Sequence, residues 1–274
     1  MDMLKAALTS PVPRASRRSH PRFQRLRVIG ALMVREMQAR FGRSAGGYVW
    51  ALAEPLGGIL LLAIAFSLAL RAPPLGSSFM LFYATGIIPM AVYNGVQRGV
   101  AKAADSNRGL LNYPVVALID AVIAKFLLTS LTLGVVAAIL FTGIIVVDDL
   151  YVILDPARLA AGFGLAALVG LGVGSVNCVL IGFFPTWKNI WTVLSRPIFI
   201  LSGVFFLFES VPAAFQRILW WNPLAHVIAT MRSGIYATYE PAFVSYAYVL
   251  GVALGLFAVG GWLLRRHAAW LIEQ

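Results

Sequence analysis

The sequence predicts an all-α integral membrane protein: six transmembrane helices, an amphipathic interfacial helix ahead of them, and a re-entrant helix pair before the last span. Three observations carry that prediction. Of the 274 residues, 60% are hydrophobic and 12% charged, against roughly 25% charged in a soluble chain, and the mean hydropathy is +0.83. Six apolar runs approach or exceed the roughly 20 residues that the bilayer hydrocarbon demands. Ten of the 22 Lys and Arg precede Tyr48, so the net charge of +11 points to a membrane surface rather than to nucleic acid.

The basic N-terminal segment has no prompt apolar stretch behind it, so it is expected to stay as a cytoplasmic feature rather than act as a cleaved signal. Residues 1–47 are read as a basic arm and interfacial helix, and residues 48–274 as the membrane domain. Leu26, Ile29, Met33, Met37 and Phe41 recur at helical spacing on one arc, with Arg35, Glu36 and Gln38 outside it. Arg40 sits beside the stripe, where its stem can lie on apolar surface while its head reaches phosphate. A plain positively charged flank is the alternative.

The spans are expected near 49–70, 79–97, 117–147, 157–182, 190–208 and 243–264. The third run exceeds one crossing and is expected to tilt or to project toward Asp148, Asp149 and Asp155. The arm, the Arg98, Lys102 and Arg108 segment, and Arg265 with Arg266 place both termini in the cytoplasm, although Arg71, Arg158, Arg217 and Arg232 fall on the opposite side. Residues 209–241 are broken by Pro212, Pro223 and Gly234. They read as two short helices that dip into the outer leaflet and return, with Trp220 and Trp221 at headgroup level.

Chemistry is sparse. No GxxxxGK[ST] phosphate loop occurs, Cys178 is alone, and His20, His226 and His267 are too scattered for a metal site. No nucleophile, base and orienting group fall together, which disfavours catalysis. The GLGVGS of residues 170–175 lies inside an apolar run, where close helix packing explains it better than a dinucleotide. Two charges stand inside spans, Glu54 and Arg196, at depths that agree within one turn. Each precedes a proline, Pro55 or Pro197, that frees a backbone carbonyl. Either they pair across a hydrated conduit between spans one and five, or each snorkels independently. The aromatic residues at span ends form an interfacial belt, of which a minority would offer flat faces to sugar rings.

REMQARFGRSAGGYVWALAEP (Arg35 to Pro55), NRGLLNYPVVALIDAVIAK, SRPIFILSGVFF and WNPLAHVIATMRSGIY come in an order and spacing that resemble the permease subunits of ABC-2 type polysaccharide exporters, the capsular branch in particular. The resemblance runs from about Arg35 onward. It implies the ABC-2 (type V ABC exporter) fold in a bacterial inner membrane, as a homodimer carrying two separate nucleotide-binding subunits. ATP and Mg would be used by those subunits, with no cofactor or metal on this chain. A coupling helix is implied around 101–114, here with Lys102, Asp105, Asn107 and Arg108; a solvated loop is the plainer reading. A periplasmic adaptor or co-polymerase and an outer-membrane channel are implied as further partners.

The function expected is ATP-driven export of a lipid-linked capsular polysaccharide. Tyr48, Trp50, Glu54, Trp191, Arg196, Phe205 and Phe206 would line the substrate path, and Arg35, Arg40 and Arg43 would guide its anionic lipid end. Export of an O-antigen or a teichoic acid is the near alternative. A membrane-embedded sugar transferase, or an adaptor without energy coupling, is the more distant one.

Overall fold

The computed structural model describes residues 21–41, 46–111 and 116–268, and these form ten α-helices and one short 3-10 turn, with no strand among them. In chain order the helices are α1 (Pro21–Phe41), α2 (Gly46–Ala69), α3 (Phe79–Ala101), α4 (Ala103–Leu111), α5 (Leu118–Val147), α6 (Pro156–Phe183), α7 (Trp187–Ile200), α8 (Ala213–Leu219), α9 (Pro223–Ser233) and α10 (Tyr246–Arg266). Local chemistry sets several of the starts. Ser78 accepts from the Leu81 N–H, Asp155 from the Ala157 and Arg158 N–H groups, Asn222 from Leu224, and Ser245 from Tyr248. Pro156 and Pro223 occupy first helical positions, where a missing N–H costs nothing.

Among the described residues five helices are long and apolar enough to cross a bilayer: α2, α3, α5, α6 and α10. α3 and α6 are mostly buried, while α2, α5 and α10 turn most of their surface outward. The glycines of residues 170–175 explain the tight centre. A Cβ on Gly170 would lie 2.8 Å from the Tyr93 carbonyl oxygen, and one on Gly174 would lie 2.9 Å from that of Gln97, both on α3. Gly172 faces the other way, with a Cβ position 2.5 Å from the Ala253 carbonyl oxygen of α10. The stretch is therefore a two-sided packing seam, and Cys178 nearby is a buried core residue.

The run expected as a fifth span, 190–208, forms the 14-residue α7 followed by a turn. At about 1.5 Å per residue α7 spans only about 21 Å, short of the roughly 30 Å of hydrocarbon. Pro197 removes one donor inside the helix, and Gly203 adopts φ +84, which takes the chain out of the helical path. The carbonyls of Val204 and Phe206 then accept from the Arg232 guanidinium instead of from helix N–H groups.

The two short helices expected within 209–241 are α8 and α9. His226 ties the end of α8 to the start of α10: Nε2 donates to the Trp220 carbonyl at 2.8 Å and Nδ1 accepts from the Ser245 N–H at 3.2 Å, which only the neutral Nε2–H tautomer satisfies. Trp220 and Tyr248 pack on the same ring.

α1 departs from the stripe expected from sequence. Leu32 is buried, with Val28, Ile29 and Met33 beside it, against Ala121 and Ala124 of α5, whereas Leu26 and Met37 stay exposed. Arg35 and Glu36, expected on the polar side, make protein contacts. Part of the length of α5 is used at this end. Its first two turns carry α1, and about 13 residues, roughly 20 Å, separate Leu118 from Leu131, which lies opposite the start of α2.

Candidate functional site: a charged cleft at the α1 end of the bundle

An open cleft of about 460 Å³ lies where the first turns of α2, the last turns of α3, the middle of α5 and the end of α7 meet. Its polar lining comes from Glu54, Asn94, Arg98, Thr129 and Thr132, and its aromatic lining from Trp50 and Phe199. Pro55 and Gly95 thin the walls between them. Helical spacing brings the key groups in: Trp50 and Glu54 are one turn apart on α2, and Asn94 and Arg98 one turn apart on α3.

Arg98 Nη2 lies 3.7 Å from Glu54 Oε1, with both side chains about 60% exposed, and Arg98 Nε donates to the Asn94 carbonyl at 3.2 Å. Charge-assisted hydrogen bonds run shorter, about 2.7–2.9 Å, so the carboxylate and guanidinium are loosely matched. Arg98 keeps donors for something else. Glu54 thus meets Arg98 within the chain, not Arg196, which is exposed and stands off the cleft. Equal depth along two helices does not make them neighbours: α3 packs between α2 and the core, so its own charge is the nearer one.

An aromatic wall leads away from the cleft. Phe199 lies 5.5 Å from Phe205 between ring centroids, Phe205 lies 6.2 Å from Phe66, and Phe66 lies 5.2 Å from Tyr83. At its far end Arg232 is buried, with its guanidinium 4.3 Å over the Phe82 ring. Arg232 Nη1 donates to the Phe206 carbonyl at 2.9 Å, Nη2 to that of Val204 at 3.1 Å, and Nε to Thr85 Oγ1 at 3.4 Å. One side chain of α9 therefore holds α3 and the turn that ends α7. Beside it, Tyr239 Oη donates to the Glu209 carboxylate, and burial together with that charge holds the phenol above its ordinary pKa.

At the α1 end, Arg35 Nη1 donates to Asn107 Oδ1 at 2.9 Å and Nη2 to the Ser106 carbonyl at 3.3 Å. One residue on, Glu36 Oε1 accepts from Lys125 Nζ at 2.7 Å, with both side chains largely buried. α1 is gripped by α4 through one residue and by α5 through the next.

The expected site residues divide accordingly. Trp50 and Glu54 line the cleft, Phe205 stands on the aromatic wall, and Phe206 offers its carbonyl to Arg232. Trp191 stays with Trp187, 6.5 Å between centroids, at the other end of α7. Arg35 and Asn107 meet, while Lys102 and Asp105 are exposed on the same segment. Arg43 and the side chains of Arg40, Tyr48 and Arg108 lie outside the described residues. Asn94, Arg98, Thr129 and Thr132 are lining groups that the sequence pattern does not single out for the path. The available signal is Asn94 and Arg98 one turn apart at the end of an apolar run.

The family described as ABC-2 type transporter matches residues 27–236, from α1 past the end of α9. The chain belongs to that family. Among ABC-2 proteins it is 29% identical over 232 residues to the polysialic acid transport protein KpsM of Escherichia coli, covering 85% of this chain and 90% of that protein. It is 25% identical over 238 residues to the capsule polysaccharide export inner-membrane protein CtrC of Neisseria meningitidis, covering 85% and 90%. Identity to the Haemophilus influenzae protein BexB, described in the same words as CtrC, is 27% over 237 residues, covering 85% and 88%. Membership in ABC-2 makes this a transporter membrane component, in keeping with its apolar helices.

Proposed function

We infer that this chain is the inner-membrane permease of an ATP-driven exporter that moves a lipid-linked capsular polysaccharide outward. The observation that carries the reading is similarity over 85% of the chain to proteins described as capsule polysaccharide export and polysialic acid transport components. The cleft supports it: an aromatic face, a carboxylate, a guanidinium, an amide and two hydroxyls are the groups that bind sugars and phosphates.

In this reading both termini are cytoplasmic, so the cleft opens at the inner leaflet. α7 with the turn after it is the remaining crossing element and makes six, and α8 and α9 form a re-entrant pair in the outer leaflet. Two copies form the conduit. A separate ATPase subunit on each supplies the energy through α4, and a periplasmic adaptor and an outer-membrane channel continue the path. The test is reconstitution of the chain with a candidate nucleotide-binding ATPase subunit, measuring ATP hydrolysis with and without purified polymers. Stimulation by a capsular polymer is expected. Stimulation by an O-antigen alone would refute the substrate, and turnover of a lipid-linked sugar donor without any ATPase would refute the transport reading.

A further inference from the structure

Beside the charged cleft, on the outer side of the contact between α2 and α5, lies a second depression of about 490 Å³ of opposite character. It is lined by Val49 and Leu52 of α2 and by Leu131, Val135, Val136 and Ile139 of α5. Val49, Leu131, Val135 and Ile139 are more than half exposed. Among the described residues, Thr132 alone lines both hollows. An apolar groove and a polar cleft thus share a rim at the same end of the bundle.

We propose that groove and cleft together form a binding site for a phosphate-headed acyl lipid, one acyl chain lying in the α2–α5 groove and the phosphate on Arg98. It rests on the export reading for its biological occupant, the lipid anchor of the polymer. Charge complementarity selects this occupant. A bare polysaccharide has nothing to place in a groove of valine, leucine and isoleucine. A hydrocarbon chain alone has no use for a guanidinium a few residues away. A lipid phosphate satisfies both, since it accepts two parallel N–H bonds from an arginine fork.

Arg98 suits the role because its Glu54 contact, at 3.7 Å, is longer than a charged hydrogen bond. The phosphate takes donors that Glu54 leaves unused. Glu54 in turn gives the guanidinium a partner when the lipid moves on, which keeps the site from holding its cargo too tightly. Thr132 at the rim gives its hydroxyl hydrogen to the Leu128 carbonyl at 2.9 Å, so it bounds the passage between the hollows without competing with Arg98 for the phosphate.

The full chain is placed in vesicles of uncharged digalactosyldiacylglycerol. These carry, in separate arms, a phosphatidylglycerol or a galactolipid probe with the same photoactivatable diazirine in its acyl chain. After illumination the labelled residues are mapped by mass spectrometry. The phosphate-bearing probe is expected to label Val135 and Ile139 about tenfold more than the galactolipid does, the factor that loss of one charge-assisted hydrogen bond brings. Leu254 of α10, as exposed as Ile139, serves as the reference and takes both probes equally. R98Q removes the difference at the groove, and I139W, which fills it, removes the labelling there; unchanged thermal unfolding of each variant shows that the chain is intact.

Equal labelling of the groove by both probes would overturn the proposal, leaving ordinary annular lipid. So would absence of label from the groove, as when a second copy of the chain covers it. The assay contains neither polymer nor ATPase, so its failure leaves the export reading standing, and failure of polymer-stimulated ATP hydrolysis leaves the lipid result standing.

Discussion

Replacing Gly172 or Gly174 with alanine tests whether α6 is the spine on which the bundle is set. The added Cβ of G172A would lie 2.5 Å from the Ala253 carbonyl oxygen and 3.0 Å from Leu256 Cβ. That of G174A would lie 2.8 Å from Val100 Cβ and 2.9 Å from the Gln97 carbonyl oxygen. Backbone atoms within packed helices cannot step aside, so α10 or α3 must shift as a body. Overpacking of this kind costs about 1–3 kcal/mol. Alanine also favours a helix over glycine by up to about 1 kcal/mol, which would mask part of the effect. Gly164, in the same helix, removes the ambiguity: its Cβ position has nothing within 4 Å. The difference between G164A and either packed variant cancels the helix preference and isolates the packing cost. Thermal or denaturant unfolding of the purified chain in detergent is expected to place G164A at or above the parent and G172A and G174A about 1–3 kcal/mol below G164A. Three alanine variants that unfold together would refute the seam.

Three further outcomes concern the charged and polar contacts. The Glu54–Arg98 pair is exposed and contributes at most about 1 kcal/mol to stability, so E54R should barely change unfolding while reducing polymer-stimulated ATP hydrolysis; adding R98E should restore activity and adding R196E should not, and the reverse pattern would reinstate Arg196. A double-mutant cycle on Arg35 and Asn107 should give a coupling of about 1 kcal/mol in unfolding, with additive single losses counting against the bond. R232K keeps the charge but cannot reach the Val204 and Phe206 carbonyls in the forked geometry, so it is expected to lower export while R232Q lowers it further. Full export by R232K would show that charge alone matters there.

Much of the architecture is legible in the sequence because its causes are local. Apolar length exposes five spans, the breaks at Pro212 and Pro223 expose the two short helices, and the glycines at 170, 172 and 174 expose the seam. What escapes depends on which helix stands beside which. Glu54 is recognisable as a charge needing a partner, but depth alone offers Arg196, and the lateral order of α2, α3 and α7 is set by packing that no single run encodes. Arg98 reads as a loop residue although it closes α3. A stripe on α1 suited to a lipid surface runs through Leu26 and Met37, whereas the buried face is centred on Leu32 because α5 extends past α2 to receive it. The end of α7 is hidden for a related reason. Pro197 and Gly203 are visible, but the side chain that claims the freed carbonyls lies 28 residues beyond Val204.

The two grips on α1 are unequal, and that inequality orders events under load. Glu36 holds Lys125 in a largely buried, short contact, shielded from water and salt, while Arg35 reaches the buried Asn107 from an exposed position where solvent competes for its remaining donors. If a partner were to push on α4, the Arg35 contact would be loaded before the Glu36 contact, which holds α1 on α5. Under that load the pair would act like a slipping clutch, the exposed contact giving way while the buried one keeps the N-terminal helix on the bundle.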